Sequence, residues 1–169
     1  LIFKLKGFRD LINSEKKKNK KTKSSKKQII NQAIQLHLQG NIREATKYYE
    51  QIIHQGCDNP IIFCNYGSIL KNLGKSKDAE RCTRKAIELN PNYTNAHFNL
   101  GIILKDLGKL EEAEIYARKA IELNPNFANA YFNLGSILRD LGKLEDAEVS
   151  TRKAIELNPN FANAYFNLG

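Results

Sequence analysis

Apolar residues recur along most of this chain at steps of three and four. Between 128 and 141, Tyr131, Leu134, Gly135, Leu138 and Leu141 share one side of a helix. Leu144, Ala147, Thr151, Ala154 and Ile155 form the stripe of a second helix. This two-helix pattern returns with a fixed period: Thr94–Phe127 and Ala128–Phe161 align without a gap and agree at 26 of 34 positions. Pro60–Tyr93 aligns to both, and residues 26–59 align more loosely through Gly40, Ala45 and Tyr49. The pattern predicts four repeats, 26–59, 60–93, 94–127 and 128–161, each of two antiparallel helices, with residues 162–169 opening a fifth. Gly40, Gly74, Gly108 and Gly142 fall where a left-handed residue ends the first helix of each repeat. Pro91, Pro125 and Pro159 follow the second helices, which they cannot continue. Asn92, Asn126 and Asn160 come next and suit an N-cap. Gly67, Gly101 and Gly135 lie inside first helices, where glycine costs roughly 1 kcal/mol relative to alanine. Close approach of the second helix is the expected reason.

Charge separates the N-terminal segment from the repeats. The chain has 169 residues and a formal net charge of +9. Residues 1–27 hold eleven Lys and Arg against Asp10 and Glu15, so that segment carries the whole excess. The remainder has sixteen basic and sixteen acidic side chains, and no broad positive face is expected there. Residues 1–25 read as a basic tail, with a disordered composition around Lys16–Lys27. The tail's lysines allow electrostatic contact with nucleic acid or an acidic membrane. Specific base reading is not expected, since no aromatics are interleaved. Leu1–Ile12 carries a short amphipathic pattern compatible with a membrane surface. No run of 18 apolar residues suggests a membrane span. Cys57, Cys64 and Cys82 are an odd number without CxxC spacing, which predicts reduced thiols and a cytoplasmic location. The absence of Met and the ending ANAYFNLG predict a piece of a longer chain.

The repeated residues resemble the tetratricopeptide repeat (TPR), whose pattern is W-x2-L-G-x2-Y, then A-x3-F, then P, over 34 residues. The tryptophan place holds Ile29, Phe63, His97, Tyr131 and Tyr165. The leucine–glycine pair is Leu100-Gly101, Leu134-Gly135 and Leu168-Gly169, with Tyr66-Gly67 close to it. Leu36, Leu70, Leu104 and Leu138 stand at the next aromatic place, and Ala45, Ala79, Ala113 and Ala147 at the alanine place. The phenylalanine place holds Tyr49, Thr83, Ala117 and Thr151, and the proline place Pro91, Pro125 and Pro159, but Cys57 in the first repeat. The resemblance implies an all-α, right-handed superhelical solenoid of antiparallel helix pairs. It also implies a concave groove, lined by first helices, that binds a protein or an extended peptide.

On each first helix, residues at steps of four, three and four share one edge. The rows are Ile61, Asn65, Ser68, Asn72; Asn95, Asn99, Ile102, Asp106; and Asn129, Asn133, Ser136, Asp140, with Asn163 and Asn167 beginning the next. Asparagine is a poor helix former, so its recurrence asks for a reason, and recent duplication is one. The repeats look most like those of bacterial proteins related to O-linked N-acetylglucosamine transferase. That resemblance implies that Asn65, Asn99, Asn133 and Asn167 form a ladder pairing with a peptide backbone. Lys71, Lys105 and Arg139 against Asp106 and Asp140 would then select a ligand of mixed charge. Some TPR proteins clamp the terminal carboxylate of chaperones. The places of the clamp's basic residues hold Ile30, Asn95 and Asn99 here, and only Asn65 matches, so binding of acidic chaperone tails is not expected.

Other candidate chemistry is weak. Gly74-Lys75-Ser76 resembles the end of a phosphate loop, but Ile69 stands where its first glycine belongs. His37, His54 and His97 lack metal-ligand spacing, and His97 reads as a packed ring. Cys64 and Cys82 read as core residues. Asn92-Tyr93-Thr94 matches a glycosylation sequon without a secretory context. No catalytic constellation, metal site or cofactor motif is recognised. A binding scaffold is expected; the alternative is the N-terminal substrate-recruiting module of a larger glycosyl-, sulfo- or methyltransferase.

Overall fold

The computed structural model of the chain describes residues 27–160. The basic tail, the opening of the fifth repeat and Asn167 lie outside the described residues. Among the described residues every regular element is a helix. The chain divides into two compact units, Leu1–Cys57 and Asp58–Gly169.

In the first unit, α1 (27–38) turns at Gly40 into α2 (Ile42–His54). Ala33, Ala45 and Tyr49 are buried, and His37 Nδ1 lies 3.2 Å from the Tyr49 hydroxyl.

The second unit contains α3 (Pro60–Asn72), α4 (Ser76–Leu89), α5 (Thr94–Asp106), α6 (Leu110–Leu123), α7 (Ala128–Asp140) and α8 (Leu144–Leu157). Each odd-numbered helix packs on the next, α4 packs on α5, and α6 on α7. The first helices also touch one another, α3 on α5 and α5 on α7. The core between α5, α6 and α7 is built from Leu100, Leu104, Ala113, Ala117, Leu134, Ile137 and Leu138. Full burial of a leucine or isoleucine side chain contributes roughly 1.5–3 kcal/mol.

The tight turns follow from local chemistry. At the end of α3, Gly74 has φ +74°, its N–H donates to Lys71 O at 2.9 Å, and Lys75 N–H donates to Leu70 O at 2.9 Å. That satisfies two carbonyls the helix end leaves open. The start of α3 is set by Pro60 at its first position and by Asn59, whose Oδ1 accepts the Ile61 N–H at 2.9 Å.

Two sequence expectations are corrected. The N-cap places of α5 and α7 belong to Tyr93 and Phe127, not to Asn92 and Asn126, and neither makes a side-chain cap bond. The working asparagines stand two residues earlier: Asn90, Asn124 and Asn158 accept the N–H of Asn92, Asn126 and Asn160 at 3.1, 3.1 and 3.2 Å. These local turns redirect the chain out of each second helix. Leu144, expected on a buried stripe, is 65% exposed. It begins α8 at the edge of a depression that Gly135, Ser136 and Arg139 of α7 also line.

The helix glycines fit the expected close approach. A Cβ at Gly67 would collide with Thr83 Oγ1 and lie 3.2 Å from Ala79 O. At Gly135 it would meet Thr151 Oγ1 at 2.5 Å and Ala147 O at 3.0 Å.

Candidate functional site

Because α3, α5 and α7 lie side by side, residues repeated every 34 positions on them are brought into one row. Asn65 and Asn99 are half-buried, whereas Asn133 is buried, at 8% exposure. Asn95 and Asn129 are exposed at the start of their helices; Ser68 and Ser136 are half-buried in the middle. Asn72, Asp106, Asp140 and Arg139 are exposed near the far ends, beside half-buried Lys71 and Lys105. Lys105 Nζ lies 3.3 Å from Asp140 Oδ2, so part of the expected alternation of charge is spent between repeats. Ser136 and Arg139 share a depression of about 230 Å³ with Gly135, Leu144, Ala147, Glu148 and Thr151.

The asparagines have different surroundings. Asn99 donates from Nδ2 to Cys64 Sγ at 3.3 Å. Cys64 also hydrogen-bonds Tyr93, whose hydroxyl is reached by Asn95. Burial of the thiol, offset in part by the hydrogen bonds from Asn99 and Tyr93, pushes its pKa up to about 11. It therefore stays neutral near pH 7 and serves as a weak acceptor rather than a nucleophile. One repeat on, Phe98 replaces Cys64 and Phe127 replaces Tyr93. Those rings pack with centroids 4.9 Å apart at 49°. Asn133 then has no sulfur to donate to, and its buried Nδ2 has no hydrogen-bond partner. It leans toward Gly101, 3.3 Å from where a Cβ would stand.

Away from this row, charge clips successive repeats. Glu80 accepts Arg84 at 2.8 Å and Lys109 at 2.9 Å; Glu114 accepts Arg118 at 2.8 Å and Lys143 at 2.7 Å. Burial pushes the Glu80 carboxyl up, but the hydrogen bonds from Lys109 and Arg84 outweigh it and hold it below its ordinary value. The hydrogen bond from Lys143 does the same for Glu114. Arg84 also reaches Glu112 and the Tyr116 hydroxyl, and lies 5.5 Å from that ring's centroid.

The remaining candidates resolve into packing. His97 is 5% exposed, stacks on Tyr116 and has Nε2 2.7 Å from Pro91 O. The N–H groups of Gly74 and Lys75 are engaged by the helix end, so that turn does not cradle a phosphate. Among the described residues there is no cluster of metal-ligating side chains, and no helix is long and apolar enough to cross a membrane.

The Cys64–Tyr93 and Phe98–Phe127 pairs escaped the sequence reading, which took Cys64 as a core residue and did not single out the other three. The available signal was the residue just before each row asparagine, which is cysteine at 64 and phenylalanine at 98, 132 and 166.

Comparisons with known proteins bear on the family and the fold. Residues 31–134 match the "Cilia and flagella-associated protein 70 middle TPR-like domain" family, and residues 128–161 match "Tetratricopeptide repeat". No curated protein sequence matches the chain. Among solved structures, YrrB, described as a TPR protein with an unusual peptide-binding site, is similar with a TM-score of 0.74 and 27% identity, over 82% of this chain and 72% of that one. The first TPR domain of Spaghetti (RPAP3), solved with the HSP90 peptide SRMEEVD, gives 0.64 and 26%, over 65% and 87%. An O-GlcNAc transferase from Thermobaculum terrenum gives 0.63 and 25%, over 64% of this chain and 21% of that one. The shared architecture is the all-α solenoid of helix pairs.

Proposed function

Because the chain belongs to the tetratricopeptide repeat family, we propose that it is a protein-interaction scaffold whose row of first helices binds an extended peptide segment of a partner protein. The observation that carries this reading is the asparagine row at 34-residue spacing on the side-by-side first helices α3, α5 and α7. An asparagine amide carries both a donor and an acceptor and can match a peptide backbone with little regard to side chains. Peptide binding by YrrB and by the RPAP3 domain supports the ligand class. Asn65, Asn99 and Asn133 are the proposed contacts, and Asn167 is added to them on its 34-residue spacing in the sequence alone. Asn95, Asn129, Ser68, Ser136, Asn72, Lys71, Arg139 and Asp106 flank them and select among ligands.

The test is panning of a random peptide library on the purified chain. Enriched peptides should bind with modest affinity, since each hydrogen bond is worth only about 0.5–1.5 kcal/mol. Replacing Asn65, Asn99 and Asn133 together by alanine should weaken them at least about tenfold while helicity is kept. Failure to enrich any peptide, or a triple variant that binds within about twofold of the parent, overturns the reading. The acidic peptide SRMEEVD is the control expected not to bind, because Asn95 and Asn99 offer its carboxylates no cation.

A second reading, a substrate-recruiting module of a larger transferase, is favoured by the likeness to the Thermobaculum enzyme, of which this chain matches 21%. Reading the gene beyond Gly169 tests it: a transferase domain supports it, and a stop codon directly after Gly169 removes it.

A further inference from the structure

Cys64 and Phe98 hold the same place in successive repeats, as do Tyr93 and Phe127. Each pair belongs to a contact between first helices that also contains one asparagine of the row. At the α3–α5 contact, sulfur accepts the Asn99 Nδ2 at 3.3 Å, and the thiol, 1% exposed, is itself held by Tyr93. An amide whose nitrogen is engaged cannot rotate without losing that bond, so its orientation is set by the wall behind it. At the α5–α7 contact the equivalent wall is two phenyl rings, which offer no acceptor, and the Asn133 nitrogen is unpaired.

We infer that Cys64 is a positioning residue for peptide recognition: it holds Asn99 with Oδ1 as the atom left for the ligand, so that this rung takes a backbone N–H. The Asn133 nitrogen, buried toward Gly101, has no acceptor beside it to set the amide in the same way. The row is thus graded, with one rung whose polarity a neighbouring side chain sets beside one where none does. Asn95 reinforces the fixed rung by reaching the Tyr93 hydroxyl that holds the thiol. The inference rests on the groove reading above and adds to it which atom of a peptide the third repeat requires.

The experiment uses the full chain and one peptide from the random library, with a series of its N-methylated forms, each lacking a single backbone N–H. For the wild-type chain, methylation at one residue should lower affinity about tenfold, the worth of one hydrogen bond. In Cys64→Ala that ratio should shrink below about threefold, because the freed amide can turn. Cys64→Ser, which keeps an acceptor, should restore it. An unchanged ratio in Cys64→Ala, with helicity kept, overturns the inference while leaving the groove reading intact. If no library peptide binds the wild-type chain, the groove reading falls and this inference with it. Should Cys64→Ala unfold, the side-chain amide protons of Asn99 in the wild-type chain decide. Exchange much slower than that of exposed Asn72 supports the hold, and equally fast exchange overturns it.

Discussion

Two contacts between first helices, α3 with α5 and α5 with α7, come from repeats of the same plan and are solved in different ways. At the first, Cys64, Tyr93, Asn95 and Asn99 form a small polar cluster, and Thr83 fills the space beside Gly67 while bonding Ala79 O at 2.8 Å. At the second, Phe98 packs on Phe127, Ala117 replaces the threonine, and the amide of Asn133 moves toward Gly101 with no partner for its nitrogen. The helices and turns are the same in both. What differs is whether the buried polar atoms find partners, and that is decided by three side chains per contact. A repeat can therefore keep its fold while the polarity of the face it displays changes.

The glycines offer the largest effect with which to break this comparison. Gly67→Ala and Gly135→Ala push a Cβ onto a threonine hydroxyl and a helix carbonyl. They should destabilise the chain by about 1–3 kcal/mol despite the helix propensity of alanine. Gly101→Ala meets its nearest neighbours at 3.3–3.4 Å and should fall within about 1 kcal/mol of the parent. Thermal melts monitored by circular dichroism check the difference. Adding Thr83→Ala to Gly67→Ala should recover part of the loss; equal destabilisation at all three glycines would show that the threonines are not the cause.

Substitution of the row asparagines by leucine should give opposite signs. Asn133→Leu removes a buried donor without a partner and should stabilise by about 1–2 kcal/mol. Asn99→Leu takes a hydrogen bond from Cys64 and should cost about 0.5–1.5 kcal/mol. Urea unfolding of the two variants measures both. A stabilised Asn133→Leu that no longer binds peptide would show stability given up for recognition.

Acid sharpens the comparison least. The Glu80 and Glu114 carboxyls are both held below their ordinary value of 4.5. A depressed carboxyl contributes stability that is present in full above about pH 4.5 and is lost as the pH falls through the folded value. Partly exposed ion pairs of this kind are worth at most about 1 kcal/mol each, so urea midpoints should drop only slightly between pH 6 and pH 3.5. Lys109→Ala and Lys143→Ala should each reduce that drop. A pH response unchanged in both variants would assign it to other carboxyls.

The fold was legible because its signals are periodic and local. Apolar steps of three and four place the helices, Gly74 and its equivalents end them, and the 34-residue repeat supplies the stacking. The displaced caps were harder. Asn90 and Asn92 are both asparagines beside Pro91, and only the backbone path shows which one accepts a hydrogen bond. The face of the candidate site was legible as a row of asparagines, since recurrence at one helical position is visible in the letters. The surroundings of each amide were not. Asn99 meets Cys64 across 35 residues of chain, and a pattern within one helix does not reveal whether a side chain of another helix accepts its proton. The same limit applies to Lys105 and Asp140, which pair across repeats.

The ion pairs between repeats bear on how the chain acquires its structure. Arg84 reaches Glu112 and Lys109 reaches Glu80 across only 28 and 29 residues. The helices that pack together are likewise near neighbours in the chain. No large loop has to close before the first stabilising contact forms, so the entropic barrier is small and folding should be fast for a chain of this size. Order can begin in any helix pair and spread outward as each clip is added. Under a pulling force the same layout should yield a staircase of small extensions, one repeat at a time, rather than a single abrupt rupture.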